Sequence, residues 1–200
     1  MAMETAMYLI LATALRRELT RIMWRSLSTR FMSCQPSTIV ELVARYGPEG
    51  LSADRLAIVS LGANLPSRVG PARVTLVQAA QRLSALSVWP VVLSPIIETE
   101  PVDCPPGSPS FCNAVAVLDP GEAQTPEQLL CELQAIETAF GRERSGQINE
   151  ARVLDLDLIT YGDQHRDTPT LTLPHPRAAQ RDFVLQPLAV IWPEFRLSDP

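Results

Sequence analysis

The sequence predicts an α+β domain in which helices pack on an antiparallel sheet, preceded by an N-terminal helical extension. Two observations predict this fold class. After residue 56, short apolar runs that suit strands alternate with segments whose apolar residues recur at helical spacing. Residues 1–55 have a different composition and contain all five methionines. We therefore expect residues 1–55 to form the extension and residues 56–200 the domain.

The first half of the domain predicts a strand, a helix and two more strands. Ala57–Leu61 is a short apolar run with β-branched residues, which is typical of a strand. Arg73–Leu86 has apolar residues at the spacing of one helix face. Val91–Thr99 enters a proline-rich loop and predicts the second strand, and Phe111–Leu118 predicts the third.

The second half predicts a helix, a strand and a short helix. Thr125 is a capping residue with Pro126 at the first helical position and a glutamine at the third, and the helix runs to Phe140 before a glycine. Val153–Tyr161 predicts the last strand, and a short helix is expected near Ala178–Asp182. The order β-α-β-β-α-β is the ferredoxin-like arrangement, with both helices on one face of the sheet. This fold hosts many functions, so it does not predict one.

The extension contains a candidate basic amphipathic helix. From Ala6 to Phe31, apolar residues recur at helical spacing around four of the arginines. Three interpretations stay open: a translated leader that is not native, a targeting peptide, or a helix that packs on the domain. We assign it no chemistry.

The composition excludes several classes of protein. All 17 basic residues are arginine, so neither a P-loop lysine nor a Schiff-base lysine is available. Any phosphate must be bound by arginine, histidine, backbone amides or a metal ion. The net charge of −5 argues against a nucleic-acid partner, and no apolar run is long enough to cross a membrane. We expect small-molecule substrates and a monomer.

The cysteines predict a reducing compartment. Cys34, Cys104, Cys112 and Cys131 form no CxxC pair and have no histidine at zinc-site spacing. We interpret them as reduced thiols and expect the cytoplasm.

The strand Val153–Tyr161 has the most informative polar pattern. Asp155 and Asp157 are two apart, so they lie on the same face of the strand, and Leu154, Leu156 and Leu158 lie on the other. Two neighbouring carboxylates resist ionising together unless a cation lies between them. Mg²⁺ prefers one or two carboxylates together with phosphate oxygens. The alternative is a polar strand face paired to arginines of another element.

Three other clusters have candidate binding residues, and each also has a purely structural explanation. His175 lies between two prolines and is followed by Arg177 and Arg181; these residues suit a phosphate or a helix-capping loop. Arg142 and Arg144 follow the helix that ends near Phe140, and arginines there suit a ligand or a helix C-terminus.

The third cluster suits a flat heterocycle. Asn113 has donors and an acceptor for a ring edge, and Phe111 and Phe183 have faces on which a ring could stack. The alternative is that the aromatic residues belong to the core and the asparagine to a turn.

Taken in order, these motifs resemble the 6-hydroxymethyl-7,8-dihydropterin pyrophosphokinase family. The resemblance covers about residues 57–195, and its motifs are S-L-G-A-N-L at 60–65, E-T-x-P at 98–101, F-x-N-A-V at 111–115, I-E-x-x-x-G-R at 136–142, R-x-L-D-L-D-L at 152–158, L-P-H-P-R at 173–177 and R-x-F-V-L-x-P-L at 181–188. It implies transfer of the diphosphate of ATP to the hydroxymethyl group of a reduced pterin, with ATP as co-substrate and two Mg²⁺ ions.

The resemblance also implies roles for individual residues. The metal ligands would be Asp155 and Asp157, which form the catalytic group together with Arg142 and Arg152. The ATP site would be lined by Gln134, Glu137, Arg144, Leu158, Thr172, His175 and Arg181. The pterin would be bound by Thr99, Pro101, Val102, Phe111, Asn113 and Phe183, with the two phenylalanines on either side of its ring.

The sequence departs from the family pattern next to the loop arginine, where Glu150 and Ala151 replace a glycine and a proline that are often found there. Two alternatives therefore stay open: a catalytically weakened paralogue, and a ferredoxin-like binding or regulatory module without catalysis.

Overall fold

The computed structural model describes residues 37–46, 53–101, 104, 107–143 and 151–197. The chain divides into two compact units, Met1–Gln35 and Pro36–Pro200. The first unit lies outside the described residues, as do the predicted helix from Ala6 to Phe31 and the site residues Val102 and Arg144. The division of the chain at residue 55 stays a prediction.

Within the described residues, five strands form one antiparallel sheet. They are β1 (Ala57–Ala63), β2 (Val92–Leu93), β3 (Ile97–Thr99), β4 (Phe111–Leu118) and β5 (Asp155–Tyr161). The strand order is β2-β4-β1-β5, and β3 also pairs with β4. Helix α2 (Ala72–Leu83) follows β1, and helix α3 (Pro126–Ala139) follows β4. The predicted ferredoxin-like fold is confirmed.

Hydrophobic clusters cover both faces of this sheet. Side chains alternate between the faces of a strand, so Val59 and Leu61 belong to one cluster with α2 and α3, and Ile58 belongs to the other. The second cluster includes α1 (Ile39–Tyr46) and α4 (Asp182–Ile191). The sequence predicted only the helices of the first face.

Three local features differ from the predicted elements. The predicted strand Val91–Thr99 is divided into β2 and β3, because Pro95 has no N–H to donate to a neighbouring strand. A two-stranded hairpin of β6 (Arg166–Asp167) and β7 (Thr172–Leu173) follows β5. The expected short helix is a 3₁₀ turn at Ala178–Gln180, which leads directly into α4.

Helix α3 brings polar side chains to the start of β5. Its capping box forms as predicted: Gln128 N–H donates to the hydroxyl of Thr125 at 3.3 Å, and the Gln128 side chain accepts from Thr125 N–H at 3.0 Å. The helix ends before Phe140, and Gly141 adopts a φ of +93° that suits glycine. Glu137 and Arg142 lie at this end of the helix.

Candidate active site

The floor of the site is a row of residues across three strands. Asn113 of β4 pairs with Gly62 of β1, and Gly62 pairs with Asp155 of β5. Two pairs further along, Ser60 lies opposite Asp157. The aspartates are partly exposed, while Leu156 and Leu158 are buried at 3% exposure on the other face. The alternation predicted from the sequence is therefore present.

Gly62 keeps open the space between the two halves of this floor. A Cβ atom at this position would lie 3.2 Å from Oδ1 of Asn113 and 3.9 Å from Cβ of Asp155. The first distance is tighter than ordinary van der Waals contact. Gly62 was predicted only as part of the S-L-G-A-N-L motif, although a glycine inside a strand often marks a place where another group approaches the backbone.

Two arginines neutralise Asp155. Nη1 of Arg142 contacts one Asp155 oxygen and also Glu137, and Nη1 of Arg152 donates to the other Asp155 oxygen at 2.6 Å. Burial lowers the pKa of Arg142, but the charges of Asp155 and Glu137 outweigh it and raise the pKa. Among the described residues, the Nε atoms of Arg142 and Arg152 are buried without a hydrogen-bond partner. Both guanidinium groups therefore keep donors that a ligand can use.

Glu137 lies beneath the site. Its side chain is 3% exposed, and it accepts a hydrogen bond from the backbone N–H of Leu156 at 2.8 Å. Leu156 separates Asp155 from Asp157 in the sequence. The buried carboxylate therefore ties the last turn of α3 to the backbone between the two aspartates.

Asp157 has a weaker cationic environment than Asp155. Nη1 of Arg181 lies 3.6 Å from its Oδ2, beyond a normal hydrogen bond. Burial raises the pKa of the Asp157 carboxyl, and the charge of Asp155 raises it further, although His175 and Arg181 oppose this shift. The aspartate pair therefore carries negative charge that the surrounding side chains compensate only in part.

His175 is held close to β5 as a neutral imidazole. Its backbone N–H donates to the carbonyl of Ile159 at 2.8 Å. Burial lowers its pKa despite the opposing charge of Asp157. Nδ1 accepts from the N–H of Arg177 at 3.2 Å, so the ring proton of the neutral form is assigned to Nε2.

A cleft of about 280 Å³ opens beside Asp157. The β6–β7 hairpin forms one wall, with residues 168–172, and Leu130 of α3 contributes to the lining. Three of the predicted ATP residues line this cleft, namely Leu158, Thr172 and His175. Gln134, one turn after Leu130 on α3, is exposed and is not one of the lining residues.

Three of the predicted pterin residues, Thr99, Phe111 and Asn113, lie on β3 and β4, which β1 separates from the aspartates of β5. Nδ2 of Asn113, which is 4% exposed, donates to the hydroxyl of Thr99 at 2.8 Å. Thr99 pairs with Phe111 across the β3–β4 ladder, and Pro101, two residues later, is half-buried. The guanidinium carbon of Arg152 lies 5.7 Å from the centre of the Phe111 ring.

Phe183 has a similar environment to Phe111. It lies in the first turn of α4 and is half-buried, and the guanidinium carbon of Arg181 lies 5.3 Å from the centre of its ring. Each of the two phenylalanines therefore has an arginine of the site close to its face.

The carboxylates of Asp155 and Asp157 suit a metal ion that is also bound by a ligand. In the described part of the chain, no three His, Cys, Asp or Glu side chains are grouped as a metal site. Two carboxylates on one strand face match Mg²⁺, which takes its other ligands from phosphate and water. No helix in the described ranges is long and apolar enough to span a bilayer.

Comparisons with known proteins match this chain to one enzyme family. The family model for 7,8-dihydro-6-hydroxymethylpterin-pyrophosphokinase (HPPK) matches residues 58–193. The 2-amino-4-hydroxy-6-hydroxymethyldihydropteridine pyrophosphokinase of Pseudomonas aeruginosa is 40% identical over 141 residues, which are 70% of this chain and 83% of that protein. The folic acid synthesis protein fol1 of Pneumocystis carinii is 35% identical over 139 residues, and the chain spans only 18% of its length.

A solved structure gives the same fold. The chain aligns with Plasmodium falciparum HPPK-DHPS, crystallised with pteroate, at a TM-score of 0.51 and 13% identity, covering 72% of this chain and 41% of that one. At this identity the likeness concerns the fold alone.

Proposed function

The chain belongs to the 7,8-dihydro-6-hydroxymethylpterin-pyrophosphokinase family, and we propose that its reaction takes place on β5 at Asp155 and Asp157. It is an ATP-dependent diphosphotransferase of folate biosynthesis. The diphosphate of ATP passes to the hydroxymethyl group of 6-hydroxymethyl-7,8-dihydropterin, and AMP leaves.

The aspartate pair is the observation that carries the proposal. The two carboxylates share one face of β5, and burial together with the charge of Asp155 raises the pKa of Asp157, so a cation at this face would stabilise its ionised form. Mg²⁺ bound there with ATP would supply that charge and join the protein to the phosphate oxygens. We propose Asp155 and Asp157 as the ligands of two such ions.

Arg142 and Arg152 supply positive charge at Asp155 when no phosphate is bound. Both contact Asp155 and leave Nε donors without partners in the described structure. When phosphate enters, we expect their guanidinium groups to turn from Asp155 to the phosphate oxygens, which they bind as forked donors. Arg144 is proposed as a residue of the ATP site and lies outside the described residues.

The cleft beside Asp157 is the proposed nucleotide site. Its lining contains Leu158, the polar Thr172 and the neutral imidazole of His175. The Nε2–H of His175 can donate to a phosphate or ribose oxygen. We add Arg181 and Gln134 to this site, because Arg181 already contacts Asp157 and Gln134 is exposed near Leu130.

Glu137 has a supporting role in this proposal rather than a direct one. The resemblance implied a place in the ATP site, but the side chain is buried and hydrogen-bonded to the backbone of β5. We propose that Glu137 holds β5 and Arg142 in place, so that both aspartates keep their orientation.

The pterin is proposed to lie above Asn113 and Gly62. One hydrogen of Asn113 Nδ2 is donated to Thr99, which orients the amide, and Oδ1 can accept from an N–H of the ring. Phe111 and Phe183 offer faces for stacking. Pro101 is proposed to belong to the same side of the site, and Val102, which the resemblance also implies for the pterin, lies outside the described residues.

The reaction requires little covalent chemistry from the protein. The hydroxymethyl oxygen attacks the β-phosphorus, the bond from that phosphorus to the oxygen bridging to the α-phosphorus breaks, and AMP departs with that oxygen. The chain contributes by holding the alcohol near the phosphate and by neutralising charge with arginines. In this proposal the pterin side lies on β4 and the phosphate side on β5, with Gly62 of β1 between them.

Product analysis tests this function. Purified protein incubated with ATP, Mg²⁺ and 6-hydroxymethyl-7,8-dihydropterin should release AMP and a diphosphorylated pterin in equal amounts. ADP with a monophosphorylated pterin would contradict diphosphate transfer. The absence of any nucleotide product would contradict the activity itself.

The remaining parts of the proposal concern the state of the protein. We propose a cytoplasmic monomer that does not bind nucleic acid. Cys112 and Cys131 are free thiols among the described residues, which suits a reducing compartment. Sedimentation of the purified chain would test the monomer.

A further inference from the structure

We propose that Asn64 is a positioning residue that keeps Arg152 aligned with the ring of Phe111. Asn64 directly follows β1, at the end where Gly62 forms the floor of the site, and it is 6% exposed. The inference rests on the proposed function, because it concerns how one buried amide aligns the phosphate side and the pterin side.

The first link of Asn64 is to the backbone of Arg152. The N–H of Arg152 donates to Oδ1 of Asn64 at 2.8 Å. In return, the N–H groups of Asn64 and Leu65 donate to the carbonyl of Arg152 at 3.1 and 3.2 Å. Both backbone polar groups of Arg152 are therefore held by the end of β1, three residues before Asp155.

The second link of Asn64 is to the segment that leads into β4. Nδ2 of Asn64 donates to the carbonyl of Pro109 at 3.4 Å. Pro109 lies two residues before Phe111, the first residue of β4. The oxygen of the amide thus binds the segment before β5, and its nitrogen binds the segment before β4.

These two links meet at the guanidinium group of Arg152. It donates to Asp155 at 2.6 Å and lies 5.7 Å from the ring centre of Phe111. A displacement of about 1 Å in a reacting group can lower a rate about 100-fold. Asn64 therefore controls the distance between the guanidinium group of Arg152 and the ring of Phe111, on which the transfer depends, without touching either substrate.

A simpler explanation is that Asn64 only satisfies backbone groups where a strand ends. In that case its loss would reduce stability, and any loss of rate would not depend on the guanidinium group of Arg152. A double-mutant cycle separates the two explanations, since residues that act through each other do not have additive effects.

The cycle uses Asn64→Ala, Arg152→Met and the double variant, with kcat and the melting temperature measured for each. We expect Asn64→Ala to lower kcat about 10-fold in the wild-type background, the effect of one lost buried hydrogen bond. In the Arg152→Met background we expect a loss below about 2-fold. The decrease in melting temperature should be the same in both backgrounds. Equal losses of kcat in both backgrounds would overturn the proposal.

A second variant tests the Pro109 link and does not depend on whether the alanine variant folds. Asn64→Asp keeps an oxygen for the N–H of Arg152 but places an acceptor against the carbonyl of Pro109. We expect KM for the pterin to rise about 3- to 10-fold with KM for ATP unchanged, since one hydrogen bond is lost on the pterin side only. An unchanged KM for the pterin, or an equal rise in both KM values, would overturn the proposal.

Ser87→Ala is the matched control. Ser87 is also buried, at 9% exposure, and its hydroxyl accepts from the backbone N–H of Asp119 at 3.0 Å. Asp119 follows β4 at the end opposite Phe111, so this variant should lose stability and keep both KM values.

The wild-type protein tests the proposed function separately: no AMP from wild type refutes that function, whereas equal losses of kcat in an active protein refute only the role of Asn64.

Discussion

Replacing Asp157 by asparagine should abolish diphosphate transfer and leave the protein as stable as before, whereas the same change at Asp155 should reduce both activity and stability. The two aspartates share one face of β5 but have different surroundings. Asp155 contacts the guanidinium groups of Arg142 and Arg152, while Asp157 has Arg181 at 3.6 Å.

The expected loss of activity follows from the proposed cation site. Removing one group that stabilises charge in the transition state lowers kcat about 100- to 1,000-fold. This corresponds to about 2.7 to 4 kcal/mol of activation free energy. We therefore expect AMP release to fall at least about 100-fold in each of the two variants.

The stability of the Asp157 variant should change little. The side chain is 35% exposed, and a partly exposed ion pair contributes at most about 1 kcal/mol. The raised pKa of Asp157 means that the folded protein already disfavours its charged form, so a neutral side chain relieves an unfavourable charge. We expect the free energy of unfolding to change by less than about 1 kcal/mol.

The Asp155 variant should unfold more easily. Its side chain is 18% exposed and accepts from two arginines. Charge-assisted hydrogen bonds contribute about 1.5 to 3 kcal/mol each, and two partly buried guanidinium groups would lose a partner. We expect a loss of about 3 to 6 kcal/mol, which lowers the melting temperature by about 6 to 24 °C in a chain of this length.

The assay combines AMP quantification by chromatography with thermal and urea unfolding. Asp163→Asn is the control, since it removes one carboxylate from the exposed turn after β5 and should change neither quantity. Turnover of Asp157→Asn within 10-fold of wild type, a margin of about 1.4 kcal/mol, would refute the cation site. A larger loss of stability at Asp157 than at Asp155 would refute the electrostatic reasoning.

Three other changes have defined outcomes. Gly62→Ala should raise KM for the pterin and spare KM for ATP in steady-state kinetics, because the added Cβ lies 3.2 Å from Oδ1 of Asn113; an unchanged KM for the pterin would argue against this floor. Chelating divalent metal should stop AMP release and leave the melting temperature unchanged, and AMP release in excess chelator would argue against a metal ion. A chain that begins after helix α1 should have a free energy of unfolding in urea about 3 to 6 kcal/mol lower than a chain that begins before it, because Ile39 and Leu42 are buried in the core. Equal stabilities would contradict that packing.

Local patterns in the sequence predicted much of the fold and the centre of the site. Strand alternation depends only on neighbouring residues, so the DxD pattern was enough to separate Asp155 and Asp157 from the leucines of β5. The capping box of α3 is also local, and it forms as predicted. Helix α4 was missed, because it is apolar on most of its surface and contains Pro187, so it lacks a clear periodic signal.

By itself, therefore, the sequence determined the order of β1, α2, β4, α3 and β5 and the polar face of β5. Only the tertiary structure decided which groups meet there: Gly62 between Asn113 and Asp155, Glu137 beneath Leu156, and two arginines on one aspartate. These contacts depend on the register of β1 against β4 and β5 and on the place where α3 ends over the sheet. The periodicity within one segment contains no information about that register, since it is set by the packing of distant segments against one another.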